Sequence, residues 1–205
     1  MQNNAALLVV DVQNDFCSGG ALAVPGGEGV IPLINRIAGK FTTVVLTQDW
    51  HPADHSSFAA SHPGAEAFQT VQMPYGPQTL WPTHCVMTSP GAALHPKLDI
   101  PHAALILRKG LQRHVDSYSA FLEADRSTRT GLDGFFAARG ITEIFLAGLA
   151  MDFCVAWSAE DARKFGLHAT VIESACRAID LNDSLRLSRE RLAAAGVGRV
   201  ASLDH

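Results

Sequence analysis

The 205-residue chain lacks the features that would place it in a membrane, on a nucleic acid or in an oxidising compartment. No apolar stretch approaches the ~20 residues of a transmembrane helix. The first apolar run, Ala5–Val10, stops at Asp11 and has no Lys or Arg before it, unlike a secretory signal peptide, so the expected location is cytoplasmic. Basic residues are in the minority, 16 Lys and Arg against 20 Asp and Glu, and no basic run occurs. That excess of acid disfavours nucleic acid or an anionic membrane as partner. Cysteine is sparse: Cys17, Cys85, Cys154 and Cys176 lie far apart with no CxxC pair, which argues against a disulfide scaffold and for reduced thiols. Internal repeats, low-complexity tracts and linkers are also missing. A single domain spanning 1–205 is expected, with a small molecule as its partner and oligomeric state left open.

What is present is an alternation of short apolar runs with helical patterns. Strands are expected at Ala5–Val10, Thr43–Leu46, Ala103–Leu107, Ile144–Ala147, Ala169–Ile172 and Gly198–Ala201. Helices are expected at Val30–Ile37, Gly131–Arg139, Asp152–Phe165 and Ser184–Ala195, several closed by glycine. Continuous rather than alternating hydrophobicity in the strands implies burial on both faces. The expected fold is α/β, a doubly wound, mostly parallel six-stranded sheet with helices on both faces. One region interrupts the rhythm. The segment from Asp49 to about Pro101 has little periodicity, yet it holds eight prolines and two of the three tryptophans, so it reads as a functional loop rather than a disordered one.

In open parallel sheets ligands bind at the carboxyl ends of the strands. Four reactive groups follow strand runs directly. Asp11 closes the first, Asp49 and His51 the second, Lys109 the third, and Cys154 lies just after the fourth, at the opening of a helix. There the helix dipole and free N–H groups would lower the thiol pKa and could serve as an oxyanion hole; the competing reading is a small buried hydrophobe. Asp11 is a general base for that thiol or a turn cap, and Lys109 a partner for the carboxylate or a solvated strand end. Asp49 and His51, two residues apart on an extended chain, face one side and could share a metal ion, with His84 a third ligand and His55 a fourth. Oxygen and imidazole donors suit Zn, Fe or Mn. Chance spacing is the alternative. Cys17, Cys85 and Cys176, and His62, His95, His102, His114, His168 and His205, read as packing or surface residues.

The motifs that carry these residues resemble a known family. Asp11-Val12-Gln13-Asn14-Asp15-Phe16-Cys17 with Gly19-Gly20, Asp49-Trp50-His51-Pro52, Trp81-Pro82-Thr83-His84-Cys85, Lys109-Gly110 and Gly148-Leu149-Ala150-Met151-Asp152-Phe153-Cys154-Val155 occur in the order found in nicotinamidases of the isochorismatase-like cysteine hydrolase superfamily. The resemblance, over about residues 5 to 200, implies a catalytic triad of Asp11, Lys109 and Cys154. It implies one divalent metal (Zn, Fe or Mn) on Asp49, His51 and His84, with His55 a further candidate. A cis peptide before Ala150 is implied as well, together with an oxyanion hole from the N–H groups of Ala150 and Cys154. Phe16 and Trp81 would sandwich a flat ring, and Tyr118 would close the pocket. The implied activity is hydrolysis of nicotinamide to nicotinate and ammonia, a step of NAD salvage, with pyrazinamide a second substrate. The alternatives are another small-amide or carbamoyl hydrolase of the superfamily, or a non-enzymatic protein with Cys154 as a sensor thiol. Met151 departs from the family, which commonly has Thr there.

Overall fold

The computed structural model describes residues 3–203, so His205 lies outside the described residues. In chain order the elements are β1 (Ala5–Val10), α1 (Ile31–Ala38), β2 (Thr43–Asp49), β3 (Thr70–Met73), β4 (Gly76–Thr79), β5 (Leu105–Lys109), α2 (Leu132–Ala137), β6 (Glu143–Leu149), α3 (Ala156–Lys164), β7 (His168–Arg177), α4 (Ser184–Ala194) and β8 (Gly198–Val200). Six strands form one parallel sheet in the order β5-β2-β1-β6-β7-β8, as the unbroken apolar runs predicted. Among the described residues no helix is long and apolar enough to cross a membrane.

β1 shows why both faces are covered. Its residues alternate between two cores: Leu7 and Val9 pack with Ile31, Ile34 and Ile37 of α1. Ala6, Leu8 and Val10 pack with Phe136 of α2, Ala159 of α3 and Leu192 of α4. Each fully buried Leu contributes roughly 1.5–3 kcal/mol of transfer free energy, so a polar residue on either face would be costly. The edge strand β5 departs from this pattern. Its burial alternates and Ile106 stays half exposed, because only one face has a neighbour there.

Several expected boundaries shift, and β7 runs His168–Arg177 rather than Ala169–Ile172. β2 runs past Leu46 through Thr47, Gln48 and Asp49, β5 starts at Leu105 rather than Ala103 and reaches Lys109, and β6 extends to Leu149. The polar ends of β2 and β5 stay in the sheet because buried partners satisfy them. A further shift is at the expected helix Asp152–Phe165. Met151–Val155 form a wider π-helical turn, with the Val155 N–H donating to the Ala150 carbonyl, before α3 begins.

The long segment after β2 is ordered. It contains the antiparallel hairpin β3–β4, which the lack of periodicity concealed, and it buries Phe58, Leu80, Trp81 and Cys85. Its strands of loop bond across it: His51 N–H donates to Cys85 O and Met87 N–H to His51 O, while Trp81 N–H donates to Ser57 O. Chain order places β1, β2 and β5 on one side and β6, β7 and β8 on the other. Successive connections therefore part between β1 and β6, the crevice where ligands bind in such sheets.

Candidate active site

The carboxyl ends of β1, β2, β5 and β6 deliver their polar residues to one buried point. Asp11 leaves β1 with a left-handed φ of 49° and no exposed surface. Thr47 fixes its orientation, accepting from the Asp11 N–H (3.1 Å) and donating its hydroxyl to Asp11 Oδ1 (2.5 Å). Lys109 Nζ lies 2.9 Å from Asp11 Oδ2, bonds to Asp49 Oδ1, donates to the Ser117 carbonyl (2.8 Å) and lies 3.5 Å from Cys154 Sγ. A carboxylate oxygen of Asp11, one of Asp49, and Cys154 Sγ all lie within 4.8 Å of one another. Asp11 Oδ2, although close to the ammonium, accepts no well-aligned hydrogen bond, which leaves a buried lone pair in reach of the thiol.

Electrostatics follow from this crowding. Burial pushes the Asp11 carboxyl up, partly offset by Lys109 and reinforced by Asp49. Burial alone would strip Lys109 of its proton, yet Asp11 and Asp49 together hold its pKa well above the ordinary value, so the ammonium stays charged. Burial likewise raises the Cys154 thiol well above its usual range, against the pull of Lys109. That corrects the sequence expectation of a lowered pKa. The turn end does not offset complete desolvation, so the resting group is a thiol and needs a base beside it. The turn that carries it is tied down on both sides. Asp152 accepts from the N–H groups of Ile179 and Asp180 and from the Ser184 hydroxyl, and Ser158 donates to the Cys154 carbonyl. The Leu149–Ala150 peptide is cis, as the resemblance implies. Met151 points into the core beside Val155 and Ala156 and does not line the pocket.

Next to this cluster stand three donors. His51 Nε2 is 3.7 Å and His84 Nε2 3.9 Å from Asp49 Oδ2. Each ring's other nitrogen is occupied: His51 Nδ1 bonds to Gly110 O (3.0 Å) and His84 Nδ1 to Pro82 O (2.8 Å). Such outer bonds set the tautomer and aim both Nε2 lone pairs inward, the arrangement of metal-binding histidines. Burial, with the neighbouring His51 ring, pushes His84 down to about 4, which keeps it neutral and able to ligate. Gly110 explains why glycine follows the lysine. With φ at +71°, a Cβ there would lie 2.3 Å from His51 Cε1. Gln13 clasps the third donor, its amide bonding to both backbone groups of Asp49. The residues therefore fit a divalent cation with nitrogen and oxygen ligands. His55 stacks on His51 at 4.2 Å between ring centroids, but its nitrogens bond to Ser57 Oγ and Val115 O. It meets the three donors through a ring face.

A narrow pocket opens over Cys154 and is lined by Phe16, Trp81, His84, Tyr118, Ala150 and Phe153 among others. Tyr118 Oη accepts from Trp81 Nε1 (3.0 Å) and Gln78 Nε2 (3.2 Å). Sequence reasoning missed Phe153, Asp116, Thr47 and Gln13 as parts of the site. Phe153 and Gln13 lie inside the quoted motifs without a chemical signature; Thr47 and Asp116 carry no local signal. Cys17, Cys85 and Cys176 are buried and their thiols pushed up by burial, Cys17 to about 11 and Cys176 to about 12, as packing residues would be. None of the described histidines outside the three donors and His55 lines this pocket.

Nearly the whole chain matches known proteins. The chain is 56% identical over 200 residues to the nicotinamidase of Acinetobacter baylyi, covering 98% of this chain and 94% of that protein. Its fold superposes on the nicotinamidase/pyrazinamidase of Acinetobacter baumannii with a TM-score of 0.98 at 53% identity, covering 100% and 99% of the two chains. An L. infantum protein solved in complex with nicotinate matches with a TM-score of 0.85 at 36% identity over 98% and 94%. The pyrazinamidase of Pyrococcus horikoshii in complex with zinc matches at 0.78 and 31% over 96% and 98%. Residues 5–204 match the isochorismatase domain, and with the triad-like cluster on its parallel sheet the chain belongs to the isochorismatase family of hydrolases.

Proposed function

We propose that the protein is a nicotinamidase, hydrolysing nicotinamide to nicotinate and ammonia, and that it accepts pyrazinamide as a second flat ring amide. The observation that carries this reading is the convergence of Asp11 and Lys109 on Cys154, which lines a small aromatic pocket, beside Asp49, His51 and His84. The nicotinamidase relatives, the nicotinate complex and the zinc complex support the substrate and metal.

Phe16 and Trp81 hold the flat ring and Tyr118 closes over it, which places the carboxamide against Cys154 and converts a bimolecular attack into a positioned one. Asp49, His51 and His84 would hold the divalent cation, zinc first among Zn, Fe and Mn, and His55 buttresses His51 through their stacked rings. When bound, the cation supplies a Lewis-acidic anchor for the pyridine nitrogen. Asp11 takes the thiol proton as Cys154 Sγ attacks the amide carbon, and the ammonium of Lys109 favours the thiolate that forms. The oxyanion is received by the N–H groups of Ala150 and Cys154, each such donor contributing about 3 kcal/mol in comparable sites. Asp11 returns its proton to the departing nitrogen, releasing ammonia and leaving a thioester on Cys154. Water, deprotonated by the same carboxylate, then cleaves the thioester to nicotinate and restores the thiol. The product would enter NAD salvage in the cytoplasm, in a single-domain enzyme.

Ammonia release from nicotinamide by purified, reduced, metal-replete protein tests the reading. Wild type should release ammonia; Cys154→Ala should release none while binding metal as before. Turnover by Cys154→Ala would remove the thiol from the mechanism, and silence of the wild type would remove nicotinamide.

A further inference from the structure

The small pocket over Cys154 does not stand alone. A second, open groove of about 470 Å3 runs along the surface beside it, and the two cavities share Tyr118, Phe153 and no other lining residue. Those two side chains are held differently. Tyr118 is fixed by hydrogen bonds from Trp81 and Gln78. The Phe153 side chain, half-buried, has no polar anchor; it packs against the core, edge-on to Trp81 at 4.9 Å and tilted against Tyr118 at 5.6 Å. On the far side the apolar part of the groove's lining includes Trp157 and Leu181. Phe68 and Leu187, two of the four large apolar side chains exposed to solvent among the described residues, both face it. Thr70, Thr79, Asn182 and Arg191 stand beside these apolar side chains, so the lining is mixed. A groove that meets the substrate pocket at Tyr118 and Phe153, of which Phe153 alone lacks a polar anchor, is a ready extension of that pocket.

We propose that Phe153 is a specificity-determining wall. It limits the amide substrate to an unsubstituted six-membered ring, and behind it the groove forms a latent subsite for an apolar ring substituent. The proposal rests on the amide-hydrolase reading above and adds the residue that sets the upper size of the substrate. Asp11, Lys109 and Cys154 carry the chemistry, and because Phe153 also lines the substrate pocket the readout is the ratio between substrates, not the absolute rate of the variant.

The test compares nicotinamide with nicotinamides bearing a phenyl group at ring carbon 5 or at ring carbon 6, by ammonia release. Wild type should hydrolyse nicotinamide and neither phenyl compound. In Phe153→Ala the ratio of kcat/KM for at least one phenyl compound to that for nicotinamide should rise by about tenfold or more, the scale on which pocket shape discriminates apolar substituents. Phe153→Leu, which keeps an apolar contact on Trp81, should move the ratio the same way by less, and serves if the alanine variant is unstable. Adding Leu187→Trp, a change at an exposed position, should fill the groove and cancel the gain while leaving the variant's nicotinamide turnover in place. Hydrolysis of a phenyl compound by wild type would overturn the proposal. So would an unchanged ratio in both Phe153 variants, or a gain that survives Leu187→Trp. Wild type active on nicotinamide with an unchanged ratio in the variants sinks this inference alone; wild type silent on nicotinamide sinks the reading beneath it too.

Discussion

Two places in the molecule set one cation between two carboxylates. At the sheet edge Lys109 lies between Asp11 and Asp49, with side-chain exposures of 0, 0 and 5%. On α4, Arg186 lies between Asp183, at 3.7 Å, and Glu190, at 2.8 Å, with exposures of 57, 76 and 63%. The pattern is the same and the medium differs. On α4 water screens each charge, so the contacts contribute little to stability. In the buried trio no water competes. The ammonium is locked in its charged form, and desolvation raises the proton affinity of Asp11 beside a thiol that needs a base. A buried ion cluster is a poor device for stability, since desolvation consumes most of its attraction. Here burial perturbs an acid–base pair, Asp11 and Cys154, beside a pocket, which is where catalysis is expected.

Three substitutions break or sharpen this contrast. The largest effect belongs to Lys109→Met, which leaves two buried carboxylates without their cation. Urea denaturation should show a loss of about 3–5 kcal/mol, and ammonia release should vanish. Wild-type stability in that variant would mean the buried trio is no more coupled than the exposed one. Gly110→Ala comes next. The added Cβ collides with the His51 ring and disturbs the carbonyl that orients it, so zinc affinity measured by chelator competition should fall about 10- to 100-fold with the fold retained. An unchanged affinity would show that His51 does not hold the metal. The smallest effect is expected for Arg186→Ala: below about 0.5 kcal/mol in the same denaturation experiment, with unaltered turnover. A larger loss would show that exposure is not what separates the two clusters.

The elements that were legible in the sequence are those with a local cause. Ala5–Val10 is a strand in both readings because six consecutive apolar residues fit only a strand covered on both faces. Ser184–Ala194 is a helix stopped before Gly196, and Asp11, Asp49, Lys109 and Cys154 were found by asking which reactive groups follow apolar runs. Illegible elements depend on partners remote in sequence. β2 continues through three polar residues because Asp11, Ala92 and Gln13 satisfy them from elsewhere in the chain. The π-helical turn at Met151–Val155 has the composition of an ordinary helix start, and the hairpin Thr70–Thr79 has no apolar alternation to announce it.

Sequence by itself determined the class of fold and the identity of the reactive groups, since hydrophobic period and side-chain chemistry are properties of short segments. Only the tertiary structure decided how those groups behave. The Cys154 thiol is raised rather than lowered, His55 is turned to bond with Ser57 and Val115, and Phe153 divides a pocket from a groove. Each of these depends on burial and on distances between residues far apart in the chain, and desolvation and Coulomb interaction are set by that three-dimensional surrounding.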